Sequence, residues 1–528
     1  MIGNLKSEIS NLKSAIRFSL RNLCALCTSA VRLKPLHAQH KRHLASFLLI
    51  LFVFNSSLAL SVHQAKPFPF APTPSSSRSI QDEAFLEDLE RRSFQYFWDQ
   101  SDPRTGLTLD RMRTDGSEVD ENHRNVASIA ATGFGLTALC IASNRHWVGA
   151  GEVRKRVLSS LRFFAEEAKH EHGWFYHWMD ARTGERRWNS EVSSIDTALL
   201  LAGVLTARGY FRNDAEMVNL ATRIYERVDF RWMLNGHPVL LSHGWKPESG
   251  FLKPRWDTFS EDTLLYMLAI ASPTHPITPR SWYAFRRERM SYAGYNYITT
   301  IGVPLFMHQY AHAWIDYRNR RESRSTRTDY FANSIAATRA HRAFCISLSK
   351  DFPGYGPNMW GITASDSAQG YVAWGGPPRD PAIDGTVVPC AAGGSLMFTP
   401  DISLAALKNM RERFGERVYG KYGFVDAFNP TSGWTDTDVI GIDIGITLLS
   451  AENLHAGNVW RWFMRNREIT RAMQLIGLHF TGRRKMRKPQ ASSAMAGRPT
   501  LGVLAARSGA GASGGSGGAM SGVMSVKD

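Results

Sequence analysis

The sequence predicts an all-α fold, an (α/α)6 toroid of about twelve helices in two concentric rings. Three observations predict it. Helical periodicity runs through roughly 400 residues, about 79–478, with no linker inside. Within that span, segments apolar nearly all round (126–142, 197–205, 263–271 and 440–449) alternate with amphipathic, charged ones (153–168, 215–228 and 401–414). A helix apolar on every side must be buried, whereas one with an apolar stripe faces core on one side and solvent on the other. The alternation therefore describes an inner and an outer ring. Third, long connections (101–124, 171–190, 229–259, 352–389 and 415–439) precede several apolar helices, which gathers them at one end of the toroid over a cleft.

Taken in order, the periodicity predicts helices over 83–99, 125–142, 153–168, 192–208, 215–228, 260–271, 302–318, 330–349, 401–414, 440–453 and 459–476, with shorter candidates at 281–288 and 391–398. Outside this domain, residues 1–65 read as a basic leader. Lys41-Arg42-His43 precedes an apolar run from Leu44 to Phe54, and small residues follow it, the layout of a secretory signal peptide. The run is short for a membrane span, which needs about 20 residues. Anchoring through residues 44–60 is the alternative reading. Export to the periplasm or beyond is the expectation in either case. Residues 66–78 read as a Pro/Ser linker, and 479–528 as a basic, disordered Gly/Ala/Ser tail.

The net charge of +16 invites a nucleic-acid reading, but its location removes it. The first 65 and the last 50 residues each carry eight Lys/Arg against one acid, so the folded span is close to neutral. A nucleic-acid domain concentrates its basic residues on a folded face. Of five cysteines, Cys24 and Cys27 lie in the leader; Cys140, Cys345 and Cys390 are too widely spaced for a disulfide framework or a zinc site. No cofactor is expected.

The chemistry resides where the long loops enter the inner helices. Glu191 opens the helix that contains Asp196, Glu261 and Asp262 open another, Asp438 and Asp443 flank a third, and Asp120-Glu121 precede the first. Capping and the helix dipole alone favour a carboxylate there. Convergence of several at one end points further, because glycoside cleavage needs one protonated and one ionised carboxyl group. Asp196, deeper in its helix, reads as part of a buried polar network. Aromatic residues crowd the same loops, and their faces suit the C–H faces of sugars. Trp188, Trp256, Tyr355, Trp360 and Trp434 are the candidates, with Asp120, Asp366 and His308 as polar contacts. His308 and His312 stand one helical turn apart, but Gln309 occupies the place of the glutamate base in a zinc-protease helix, so no metal is expected.

Ala130-Ala131-Thr132-Gly133-Phe134-Gly135-Leu136, Glu191 through Leu200, Ser260-Glu261, Ser272-Pro273-Thr274-His275-Pro276, Pro304 through Asp316, Trp360 through Asp366, Ala391 through Ser395 and Asp438 through Asp443 occur in that order. The set resembles the bacterial glucoamylase-like domain family, which includes endo-β-1,2-glucanases, over about residues 85–478. The resemblance implies an (α/α)6 inverting hydrolase of β-1,2-linked glucan, with Glu191, Glu261 and Asp443 matching acids of the family's cleft. Glu191 is expected as general acid, Asp443 on the base side and Glu261 as a supporting or alternative acid. Asp262 and Ile444 depart from the family pattern, which bears on linkage specificity. A polysaccharide lyase using Arg255, His308 and Tyr310, and a glycan-binding protein without turnover, are the alternatives on the same scaffold.

Overall fold

The computed structural model describes residues 78–324 and 327–481. The leader, most of the linker and the tail from residue 482 lie outside the described residues. Within them are thirteen α-helices, several 3-10 turns and two- and three-stranded sheets with strands of two to five residues.

The helices form the two rings of an α/α toroid. The inner set is α2 (Ile129–Asn144), α4 (Ser194–Tyr210), α6 (Asp262–Ala271), α7 (Tyr310–Trp314), α9 (Pro389–Gly393) and α11 (Gly441–His455). Fifteen of the sixteen α2 residues and all of α6 are buried, as their all-round apolar character requires. The outer set is α1 (Ile80–Gln100), α3 (Ala150–Arg162), α5 (Ala215–Arg227), α8 (Tyr330–Ser347) and α10 (Pro400–Phe414), each buried along one stripe. Before α7 the hairpin Glu288–Tyr292/Tyr295–Thr299 stands where the alternation calls for an outer helix. α12 (Asn458–Phe463) packs on α4, and α13 (Arg467–Leu475) on α6.

Several expected helices start later, because their first residues pair as strands. Val126–Ser128, Val192–Ser193 and Asp438–Ile440 each run directly into α2, α4 and α11. Ser128 and Ser193 are the N-caps, accepting from the amides of Ala131 and Asp196. The helix expected over 302–318 is a 3-10 turn, Leu305–His308, followed by the short α7. The one expected over 459–476 breaks at Met464–Asn466 into α12 and α13. The candidate at 281–288 is the 3-10 turn Pro279–Tyr283. The last element among the described residues is a strand, Leu478–Phe480, paired with Arg320–Glu322.

Glycines bring the inner ring together. A Cβ on Gly203 would lie 2.1 Å from the Gly133 carbonyl oxygen, and one on Gly133 would lie 2.2 Å from that of Leu199. α2 and α4 thus touch backbone to backbone, with no side chain able to yield. Gly203→Ala gains about 1 kcal/mol of helix propensity but must separate the helices, so we predict a net loss of about 2 kcal/mol, read as a lower urea midpoint at unchanged slope.

Candidate active site

The starts of α2, α4, α6 and α11 and the loops before them share one end of the toroid. Two strand pairings assemble it. Arg111–Arg113 runs antiparallel to Asp438–Ile440, and Val192–Ser193 to Gly244–Lys246.

The first pairing builds an acidic wall. Arg111 reaches from its Nη1 to Asp366 (2.7 Å) and Asp438 (3.6 Å), and from its Nε to Asp110 (3.3 Å). Arg113 bonds Asp438 at 2.7 Å. Beyond them lie Asp426, Asp436 and Asp443. Asp443, at the start of α11, accepts from the Cys390 thiol at 3.1 Å and from the Tyr310 hydroxyl at 3.5 Å. Burial pushes its carboxyl up to about 6, opposed by hydrogen bonds to Asp426 and Cys390. Asp426 is raised by burial and then by Asp443, so the two carboxyl groups share a proton as like charges in one dry site must. Asp436 is pushed up to about 7, mainly by burial. Asp366, Asp426 and Asp436 bring oxygens within 4.8 Å of one another, a spacing a cation would accept. Arg111 and the bound protons already offset that charge.

The second pairing sets Glu191. The His177 amide donates to the Glu191 carbonyl at 2.9 Å, and His177 Nδ1 lies 3.1 Å from the Glu191 carboxylate. His177 Nε2 lies 3.5 Å from Asp196. The hydrogen bond to His177 pulls Glu191 down to about 2 against the cost of burial. His177 itself is raised: burial disfavours its charge, but Asp196 and Glu191 outweigh that. Its ring stacks on Trp178, centroids 3.9 Å apart. Immediately before Glu191, Trp188 and Asn189 both take left-handed backbone angles (φ 53° and 47°), a strained turn for a bulky residue. Gly244 is required opposite, since a Cβ there would lie 2.5 Å from the Val192 carbonyl oxygen and 2.9 Å from the Glu191 side chain. Asp196 accepts from Ser193 Oγ at 2.5 Å, the polar network expected of it.

Glu261 lies at the start of α6, buried, with one carboxyl oxygen free of any hydrogen bond; burial pushes it up to about 7. Asp262 is buried beside it and accepts from the Ser260 amide.

The aromatic candidates divide. Trp188 is exposed at the rim, its indole N–H donating to Asn122 and its ring edge-on to His123 and Trp178. Asp120 holds His123 at 2.7 Å and caps the same loop. Trp256 stacks on His243 and donates to Ser194 at the start of α4. Trp434 is half-buried in the loop ahead of Asp438. Tyr355 and Trp360 instead are core residues: Tyr355 donates to the Thr386 carbonyl, and Trp360 is fully buried. His308 is likewise buried, bonding Thr299, while His312 bonds Ser334. Burial pushes both imidazoles down to about 3, and they share no partner. Arg255 is spent on the carbonyls of Leu234 and Leu240.

Sequence reasoning missed His177, Asp110, Arg111 and Asp426, and it read Tyr371 only as one of the aromatic residues crowding the loops. Tyr371 is exposed, yet burial of its hydroxyl, followed by the Asp443 and Asp426 charges, raises it. The signal that could have found Asp110-Arg111 and His177 is their place in long loops that precede inner helices.

Residues 253–467 match the model of a family described as "putative glucoamylase". The match includes Glu261, Asp366, Asp426 and Asp443 and begins after Glu191. The chain is 27% identical over 434 residues to an exo β-1,2-glucooligosaccharide sophorohydrolase of Parabacteroides distasonis; the alignment takes in 75% of this chain and 58% of that protein's length. The fold is similar to an endo-β-1,2-glucanase of Chitinophaga pinensis in complex with sophorotriose and glucose, with TM-score 0.70 and 28% identity over 76% of this chain and 99% of that one. A β-1,2-glucanase of P. distasonis superposes with TM-score 0.68 at 26% identity, over 76% of this chain and 61% of that one.

The His177–Glu191 pair carries a pH signature. Glu191 is depressed, so its stabilisation is present above its ordinary 4.5 and fades as pH falls toward about 2. His177 is raised, so its share is complete below its ordinary 6.5 and is lost as pH rises through the higher value. His177→Gln should therefore cost more stability at about pH 5.5 than at about pH 9; equal losses in urea melts at the two pH values would break the assignment.

Proposed function

We propose that the chain is a glycoside hydrolase that cuts β-1,2-linked glucan by inversion. One observation carries this reading: two coupled pairs, His177–Glu191 and Asp426–Asp443, each place one carboxyl group, Glu191 or Asp443, at the start of an inner helix at the same end of the toroid. The similarity to β-1,2-glucanases supports the linkage.

Before a sugar binds, Glu191 is ionised, which is the wrong state for a proton donor. The pair as a whole nevertheless holds a proton, on His177. A glucan laid over Trp188 and Trp178 expels water, and a dry site disfavours an imidazolium–carboxylate pair relative to two neutral groups. The proton then passes from His177 Nδ1 to the Glu191 carboxyl, which delivers it to the leaving glycosidic oxygen. Opposite, Asp426 and Asp443 share one proton and one charge near pH 6, and the ionised member takes the proton of the attacking water. Cys390 and Tyr310 hold the Asp443 carboxylate in place. Glu261 is a protonated reserve near Asp196 and can donate to a sugar hydroxyl.

We further propose that the enzyme acts after export, on the strength of Lys41-Arg42-His43 and the apolar run that follows. No helix among the described residues is long and apolar enough to cross a membrane.

The full chain should release sophoro-oligosaccharides from linear β-1,2-glucan, with the α-anomer appearing first by proton NMR. Glu191→Gln should lower kcat about 10³-fold while leaving the melting temperature within a few degrees. Full activity in Glu191→Gln removes Glu191 as donor, and a β-anomer appearing first removes inversion.

A further inference from the structure

The end of the toroid opposite the cleft has a chemistry that hydrolysis does not use. α4 is 17 residues long, about 25 Å, with Glu191 ahead of its start and Arg208 and Arg212 at its other end. There Arg208, Arg212, Arg465, Asn466 and Arg467 line an open pocket of about 420 Å³. Glu468, the one acid in its lining, is neutralised by Arg208 at 2.8 Å. Nearby Asp214 is paired with Arg154. Arg212, Arg461, Arg465, Arg467 and Arg471 are all exposed, and among the described residues none has a carboxylate partner within salt-bridge distance. Arg465 and Arg461 donate only to backbone carbonyls. Burial, then Arg212 and Arg461, push the Arg465 guanidinium down, as mutual repulsion among cations requires.

Two exposed apolar side chains lie on α13 and on the strand that follows it. Arg467, Arg471 and Leu475 succeed one another at four-residue intervals along the outer side of α13, and Leu475 is 41% exposed. The strand after α13 presents Phe480, 65% exposed, with the Arg320 guanidinium over its ring at 3.8 Å. In the sequence, Thr481 is followed by Arg483, Arg484, Lys485, Arg487 and Lys488.

We propose that this face docks on an anionic phospholipid bilayer. Uncompensated arginines attract the headgroup phosphates, and exposed leucine and phenylalanine enter the boundary below them. A soluble polyanion would use the arginines but would leave Leu475 without a role, which favours the bilayer. Docked in this way, the toroid presents its cleft away from the membrane, toward glucan in solution.

The test uses the full chain and phosphatidylcholine vesicles with and without phosphatidylglycerol. The protein should sediment with the anionic vesicles and be released by salt. The triple variant Arg212→Gln/Arg467→Gln/Arg471→Gln removes no hydrogen bond or ion pair among the described residues; it should bind the anionic vesicles about 100-fold more weakly, with its melting temperature and glucan hydrolysis unchanged. Leu475→Ser/Phe480→Ser should weaken binding and leave the salt dependence as it was. Wild-type binding by the triple variant overturns the proposal and assigns attraction to the chain ends. Equal binding to neutral vesicles overturns it too, as does binding to polyphosphate with none to vesicles, which would assign the face to a soluble polyanion.

Discussion

Everything at the cleft depends on one antiparallel pairing, that of Arg111–Arg113 with Asp438–Ile440. These segments are more than 300 residues apart, and their contact closes the ring of inner helices by joining the first long loop to the start of the last inner helix. It also settles the electrostatics. Asp110, Asp366 and Asp438 crowd into a largely buried wall that mutual repulsion would open. Arg111 lies between the three and Arg113 secures the last of them, so the pairing that closes the fold also delivers the countercharge its acids need. With that wall neutralised, the next pair inward, Asp426 and Asp443, is left to resolve its own repulsion by holding a proton.

The opposite side of the cleft solves the same problem differently. Glu191 has no arginine; its partner is His177, an imidazole that can release what a guanidinium cannot. The site therefore pairs its acids with a fixed cation, Arg111, on one side and with a titratable one, His177, on the side where the proposed mechanism moves a proton. That difference, rather than the number of acids, is what makes the site suited to acid–base chemistry. The strained turn at Trp188–Asn189 fits this account, because it places an exposed indole over the loop next to the titratable pair.

Much of this was legible in the sequence. Buried helices announce themselves by being apolar on every side, so α2, α4, α6 and α11 were predicted with their attendant loops; standing at helix starts marked a group of acids, and the family resemblance singled out Glu191, Glu261 and Asp443 among them. What periodicity cannot express is how one loop pairs with another. His177, Asp110 and Arg111 lie in segments whose structure is set by partners distant in sequence, so they looked like ordinary loop residues. The same limit works in reverse for aromatic residues. Tyr355, Trp360 and His308 sit in promising loops and motifs, yet their polar atoms turn inward and their rings fill the core. The basic charge that location had moved into the chain ends also has a folded counterpart: near neutrality of the domain as a whole conceals an arginine-rich face on α12 and α13.

The central claim is that the proton on His177 moves to Glu191 when sugar excludes water. Carbon NMR of a protein labelled at glutamate side-chain carboxyl carbons reads this directly, with Glu191→Gln providing the assignment. The Glu191 carboxyl should be ionised at about pH 6 in the free protein and should become protonated at the same pH when sophorotriose is bound. A Glu191 signal that remains ionised in the complex would contradict the account and leave proton donation to another group.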